Sequence, residues 1–248
     1  MRKKLIYTTI IFFILLIIGY SFAMNNWRIR DAILEYRHDR IYRNKAVTTK
    51  AQIDRVYAKF EQLNYTELED EYLDYTKSNT KTYKPLVSNL KYIKVRRKDL
   101  NKYIVGRYRV KDFICKDKFY KQCVRNKSDA VTCALNKKIF YKTLEFQQAL
   151  EKEGYNKSGF RVVNGHRHPR YNERVGGAKK SRHIKGEAVD ISIRDINKDG
   201  KSDKKDKDIV LDILEKKVIK NEGGLGLYPG TQSVHYDVRG VRARWNSY

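Results

Sequence analysis

Ser181-x-His183-x-x-Gly186-x-Ala188-x-Asp190 sets an imidazole and a carboxylate at a spacing that suits a shared metal ion. From Ala188 onward polar and apolar residues alternate, so Val189, Ile191 and Ile193 face one way along a strand while Asp190 and Ser192 face the other. His183 precedes that strand in a loop. A second alternating stretch, Ser233-Val-His235-Tyr-Asp237, supplies another imidazole. Two neutral imidazoles and one carboxylate suit Zn2+ and leave a fourth position for water, as a catalytic rather than a closed structural site requires. A lone histidine is more often a surface or hydrogen-bonded residue than a ligand. Here four of the 5 histidines lie between Gly159 and the C-terminus, and the combination is harder to dismiss.

These motifs resemble those of the zinc metallopeptidase family that includes D-Ala-D-Ala carboxypeptidases, murein endopeptidases and phage endolysins, with the hedgehog signalling domain as a relative of the same fold. The resemblance runs from Gly106 to Trp245. Asn164-Gly-His-Arg167 is similar to the family's Ser-Gly-Tyr-Arg turn, and Gly223-Gly-Leu-Gly-Leu-Tyr-Pro229 to the glycine-rich approach to its last strand. The ending Val238-Arg-Gly-Val-Arg-Ala-Arg-Trp245 also looks familial. The resemblance implies peptide-bond hydrolysis by a zinc-bound water, with His183, Asp190 and His235 as ligands. Arg167 would hold a substrate carboxylate or the developing oxyanion, a task suited to a planar, always-charged guanidinium.

The general base is where the chain departs from its relatives. Many of them place Glu or Asp three residues before the last zinc histidine, and others place His two before it. This chain has Gln232 and Ser233 there. Asp237, on the same strand face as His235, resembles the His-x-Asp of the murein endopeptidase branch and is the candidate base. Its alternative role is a carboxylate that orients a ligand or pairs with Arg239. His166, where the family usually has Tyr, and Ser181 join Arg167 as candidate substrate-binding groups. A chain without a base would be a non-catalytic peptidoglycan-binding protein that keeps the fold.

A second metal signal lies between the two histidine motifs. Asp195, Asn197, Asp199, Asp203 and Asp206 take positions 1, 3, 5, 9 and 12 of an EF-hand-type calcium loop, with Gly200 at 6 and the carbonyl of Lys201 at 7. Position 12 is Asp rather than the longer Glu, and a strand rather than a helix leads in. The bland reading is a solvated insertion rich in Lys and Asp.

The elements that must position these residues point to an α+β fold, a small antiparallel sheet bearing the zinc site with helices packed on it. Lys138 to Glu153 reads as a helix, apolar at Phe140, Leu144, Phe146, Ala149 and Leu150, with Gly154 as its stop. Tyr103 to Ile114 reads as strand material split by Gly106. Between Tyr20 and Val105 there is no glycine and one proline, Pro85, which predicts a helical segment at 24–84 acting as stalk and linker, with the linker near Lys77 to Tyr83. Thr49 and Gln52 have capping-box spacing, and Ile53, Val56, Tyr57, Phe60 and Leu63 then share a helix face. The catalytic domain would be 106–248, with the calcium-type loop at 195–206 inserted in it.

Arg2, Lys3 and Lys4 precede an uncharged apolar run from Leu5 to Ala23, so residues 1–23 read as a signal anchor or signal peptide. The catalytic part would then lie on the periplasmic or extracytoplasmic side, held at the inner membrane or released by cleavage after Ala23. A net charge of +25 implies a polyanionic neighbour such as nucleic acid, anionic lipid or an acidic wall polymer. No RNP-like, zinc-finger or helix-turn-helix signature supports nucleic acid, and peptidoglycan peptides are the expected partner. Cys115 could pair with Cys123 or Cys133 in an oxidising compartment, or all three could stay reduced and buried.

Overall fold

The computed structural model describes residues 46–246, residues 12–19 and the single positions Ser21, Ile29, Ile33, Tyr36 and Arg40. Residues 12–19 are helical, and among the described residues no helix is long and apolar enough to cross a membrane. The rest of the Leu5 to Ala23 run and most of the segment expected as a stalk up to residue 45 lie outside the described residues.

Thr49 and Gln52 form the expected capping box at the start of helix α1 (Lys50–Tyr57), Gln52 N donating to Thr49 Oγ1 at 3.2 Å and Thr49 N to Gln52 Oε1 at 3.1 Å. The helix does not continue to Leu63. It ends at Tyr57, the chain turns, and Leu63 closes strand β1 (Glu61–Leu63). Phe60 still reaches the core, 4% exposed, because a turn can return an apolar residue inward as well as another helical turn can. Helices α2 (Asp70–Thr76) and α3 (Lys84–Val87) and strand β2 (Tyr92–Arg96) follow.

This segment is no free-standing stalk. Ile53, Phe60, Ile93 and Val95 enter the main core, and Tyr65, Leu68, Tyr72, Leu73, Tyr83 and Val87 form a second apolar cluster. Its apolar stripes are packing faces, and the lack of glycine could not reveal what they pack on. The Lys77 to Tyr83 stretch is likewise a folded turn rather than a linker. Thr76 and Ser78 hydroxyls hydrogen-bond to each other at 2.7 Å, and Tyr83 is buried.

A hairpin of β3 (Tyr103–Val105) and β4 (Tyr108–Arg109) turns at Gly106, as its split apolar pattern suggested. Extended structure stops at Arg109, where the Asp112 carboxylate accepts the Arg109 N–H at 2.7 Å and caps a 3-10 turn, Val110–Phe113. Asp117 then caps α4 (Lys118–Val124), and β5 (Ala130–Cys133) pairs with β2 to complete a three-stranded sheet, β1-β2-β5. Cys115, Cys123 and Cys133 are free and buried.

The long helix α5 (Lys138–Lys152) buries Ile139, Phe140, Leu144, Phe146 and Leu150, as its periodicity predicts. After it come β6 (Phe160–Asn164), α6 (Pro169–Arg174), β7 (Ala188–Ile193), α7 (Lys204–Ile213) with a π-helical turn at Leu214–Ile219, β8 (Gly224–Leu227), β9 (Ser233–Asp237) and β10 (Ala243–Asn246). The second sheet has the order β10-β8-β9-β7-β6 and is antiparallel except between β10 and β8. Val189, Ile191, Val234 and Tyr236 on its inner face are fully buried, and the Tyr236 hydroxyl meets Thr143 of α5 at 2.7 Å. The register pairs Asp190 directly with His235, so strand pairing alone sets a carboxylate beside an imidazole.

Candidate metal centre

His183 sits on a 3-10 turn, Arg182–Lys185, that leads into β7. Gly186 ends the turn at a φ of 65°, and a Cβ there would come within 2.1 Å of the Ala134 carbonyl oxygen. Only glycine lets the turn pass so close to the end of β5. On the turn, His183 faces the cleft while Ile184 enters the second apolar cluster.

Three donor atoms converge. His183 Nε2 lies 3.0 Å from His235 Nδ1 and 3.1 Å from Asp190 Oδ1, and His235 Nδ1 lies 3.0 Å from the same oxygen. The outer partners settle where the ring protons are. His183 Nδ1 faces the Gly165 carbonyl at 2.6 Å and donates to it, and His235 Nε2 faces Asp237 Oδ2 at 3.1 Å and donates there. Both inward nitrogens therefore carry lone pairs. Burial, before any other cause, pushes both imidazoles below the ordinary histidine range, so neither is protonated at neutral pH. Three lone pairs then meet with no proton among them, an arrangement that repels itself until a cation enters. Tetrahedral zinc with bonds of about 2.0–2.1 Å has donors roughly 3.3 Å apart, close to the observed separations, and the N, N, O donor set fits that ion.

Arg167 donates through NH2 to Asp190 Oδ2, and its backbone N–H bonds the His183 carbonyl at 3.0 Å. Arg167 and Ser181 line a cleft of about 940 Å³ whose wall includes the three donor residues. His166 does not join them. It is 3% exposed and absent from the cleft wall, because neighbours on this extended turn face opposite sides.

Asp237 also departs from its expected role as base. It has no exposed surface and does not line the cleft. Its carboxylate accepts from Gly224 N at 3.0 Å, from Arg239 Nε at 2.8 Å and NH2 at 2.6 Å, and from His235. Burial alone would raise its pKa, but the hydrogen bonds from His235 and Arg239 outweigh that and hold the carboxyl well below the usual range. A group so placed orients His235 and cannot reach a water in the cleft, which is the alternative the sequence left open.

The 195–206 loop gives calcium no structural support. Asp195, Asn197, Asp199 and Asp203 each accept a backbone N–H of the loop or of the start of α7, at 2.8–3.0 Å. The fully buried Asp206 carboxylate accepts from Ile196 N, Asn197 N and Asp203 N, and so holds the loop shut. Lys201 contributes a backbone N–H to Asp199. One oxygen of each of Asp195, Asp199 and Asp203 accepts from the loop's own backbone while Asp195 Oδ1 is buried without a partner, and among the described residues the loop's acidic groups join neither of the metal-type clusters.

The sequence reading missed parts of the wall. Tyr228, Lys180 and Trp245 line the cleft, and the Trp245 ring lies 5.1 Å from the His235 ring and 5.0 Å from the Arg239 guanidinium. Trp245 had a signal, the familial ending; Lys180, in a polar loop, had none.

A model of the Peptidase M15 family matches residues 107–237, a little over half of the chain. No curated protein and no solved structure matches it. The matched span holds Arg167 and the convergent His183, Asp190 and His235, and on that match the chain belongs to the Peptidase M15 family of metallopeptidases.

Proposed function

We propose that this protein hydrolyses peptidoglycan, cutting stem peptides or cross-links with the help of zinc held by His183, Asp190 and His235. The observation that carries the reading is the meeting of three proton-free lone pairs in the wall of an open cleft. Zinc there would supply a bound water acidic enough to attack a peptide carbonyl near neutral pH. Arg167 holds a substrate carboxylate or the developing oxyanion, with its contact to Asp190 keeping the guanidinium in place. Tyr228 is a phenol that keeps its proton at neutral pH, and burial pushes its pKa further up, so it can donate towards a leaving amine but cannot act as a base.

Arg167, Lys180, Arg182 and Arg239 make the cleft wall basic, which suits wall peptides that end in carboxylates. The +25 charge favours approach to an anionic wall, within the short range that salt allows. The basic and apolar N-terminus, Arg2 to Ala23, would hold the protein at the inner membrane with the cleft on the extracytoplasmic side.

One observation favours a second reading. Asp190 is the only carboxylate on the cleft wall among the described residues, so a peptidoglycan-binding protein without catalysis is the alternative. Incubating zinc-loaded protein with purified sacculi separates the two. Soluble peptides released by the natural chain and absent with His183→Ala support hydrolysis, whereas co-sedimentation with no released peptide supports the binder.

A further inference from the structure

A second group of metal-type side chains lies outside the cleft. Cys115 and Asp117 follow the turn at Val110–Phe113, and His168 follows Arg167, yet a sulfur, a carboxylate oxygen and a ring nitrogen from the three lie within 4.8 Å of one another. Their exposures are 5%, 5% and 3%. Part of this cluster has a structural use. Asp117 Oδ1 caps α4 by accepting from Tyr120 N at 2.8 Å, and His168 Nδ1 caps α6 by accepting from Tyr171 N at 3.2 Å. Those caps occupy one atom of each side chain. They leave Asp117 Oδ2, His168 Nε2 and the Cys115 thiol facing a common space.

His168 Nε2 is the revealing atom. It lies 3.0 Å from Asp117 Oδ2, but the oxygen is too far off the ring's N–H axis for a hydrogen bond, and the nitrogen is buried with no hydrogen-bond partner. The Nδ1 atom of His166, two residues earlier, is also buried and unpartnered. A buried polar atom without a partner calls for an explanation, since nearly all such atoms in folded proteins are paired. A cation supplies one for His168.

We propose that Cys115, Asp117 and His168 form a second metal site, structural in role, that binds a divalent ion of the zinc class. One thiolate and one carboxylate cancel the charge of the ion, and a neutral imidazole adds none, so the buried site is neutral. Sulfur and imidazole nitrogen are the donors zinc favours, and the fourth position falls to water. On binding, the Cys115 thiol releases its proton to solvent, and the imidazole proton leaves Nε2 for Nδ1. The long cap bond from Tyr171 is then given up, a loss far smaller than the contribution of a structural zinc. The ion would tie the start of α4 to the Arg167–His168 turn, closing a long stretch of chain. Arg167 would thereby be held where its backbone bonds the His183 carbonyl.

The site is independent of the function proposed for the cleft, and metal content tests it directly. Full-length protein is stripped with a chelator under reducing conditions, reloaded with zinc or cobalt and dialysed. The expected result is two equivalents of zinc in the natural chain and one in each of Cys115→Ser and His183→Ala. Cobalt-loaded His183→Ala keeps the thiolate-to-metal charge-transfer band in the near ultraviolet, and Cys115→Ser lacks it. A single equivalent in the natural chain, no metal in His183→Ala, or a thiolate band that survives Cys115→Ser overturns the proposal. If Cys115→Ser does not fold, His183→Ala decides alone, because its stoichiometry and band require only the native triad.

Discussion

The five-stranded sheet and the layer built from residues 46–135 divide the work of the molecule unequally. All the side chains of the cleft wall come from Val163 onward, and none from the earlier layer. Yet the turn that carries His183 is held from behind by that layer, because Ile184 belongs to the second apolar cluster, with Tyr65, Tyr72, Tyr92 and Ala134 among its members, and the turn rests on helix α3. A donor atom is only as well placed as the apolar neighbour that anchors its backbone. Chemistry is thus confined to one sheet while the precision of its geometry comes from another.

Removing the supporting layer has the largest expected effect. A chain beginning at Arg107 retains the whole matched span but lacks Ile53, Phe60, Ile93, Val95, Leu100, Ile104 and Val105, all nearly or fully buried in the main core. At about 1.5–3 kcal/mol for each fully buried side chain, their loss matches or exceeds the total stability of about 5–15 kcal/mol typical of folded domains. The shortened chain is expected to show no cooperative thermal transition by circular dichroism, with or without zinc. A sharp transition in that chain would mean the earlier layer is dispensable.

Ile184→Ala probes the same division within one turn. It deletes a side chain that is 1% exposed and leaves every donor in place. The expected loss is about 2–5 kcal/mol of stability in denaturant titration. Zinc affinity measured well below the unfolding transition should fall much less than in His183→Ala. Equal loss of zinc binding in the two variants would erase the distinction between anchor and donor.

The two regions also differed in how far the sequence exposed them. His183, Asp190 and His235 were legible because strand alternation carries period-two information and their motifs resemble a known family, whereas the register that sets Asp190 against His235 was not. Helix α5 and the capping box at Thr49 were legible for the same local reason. The layer at 46–105 was not. Its helices are short, its central strand β2 pairs with β5 far along the chain, and its tyrosines look the same whether they face solvent or a partner. His166 shows the limit inside the site itself. An extended turn sends His166 and Arg167 to opposite sides, and no local pattern says which side is the cleft. The Cys115, Asp117 and His168 cluster was hidden by sequence distance, since no local pattern joins Cys115 to His168.

The smallest expected effect comes at Asp237, which acts on the cleft without lining it. In Asp237→Asn the amide can still accept from Gly224 N or Arg239, but its NH2 would then meet the N–H of His235 Nε2. The clash is relieved by moving the imidazole proton to Nδ1, the atom that faces His183 and Asp190, and a lone pair is lost from the donor set. Zinc affinity, or activity at limiting zinc, should fall about tenfold to a hundredfold. The pH dependence separates this role from that of a base. Asp237 has a depressed folded pKa, so its ionised form persists above the ordinary carboxylate range and is lost only as the pH falls through a value well below it. Any limb of the pH–activity profile between about pH 5 and 8 therefore belongs to another group and should keep its position in Asp237→Asn at saturating zinc. A limb that vanishes while zinc affinity is unchanged would return Asp237 to the role of base and require it to reach the cleft.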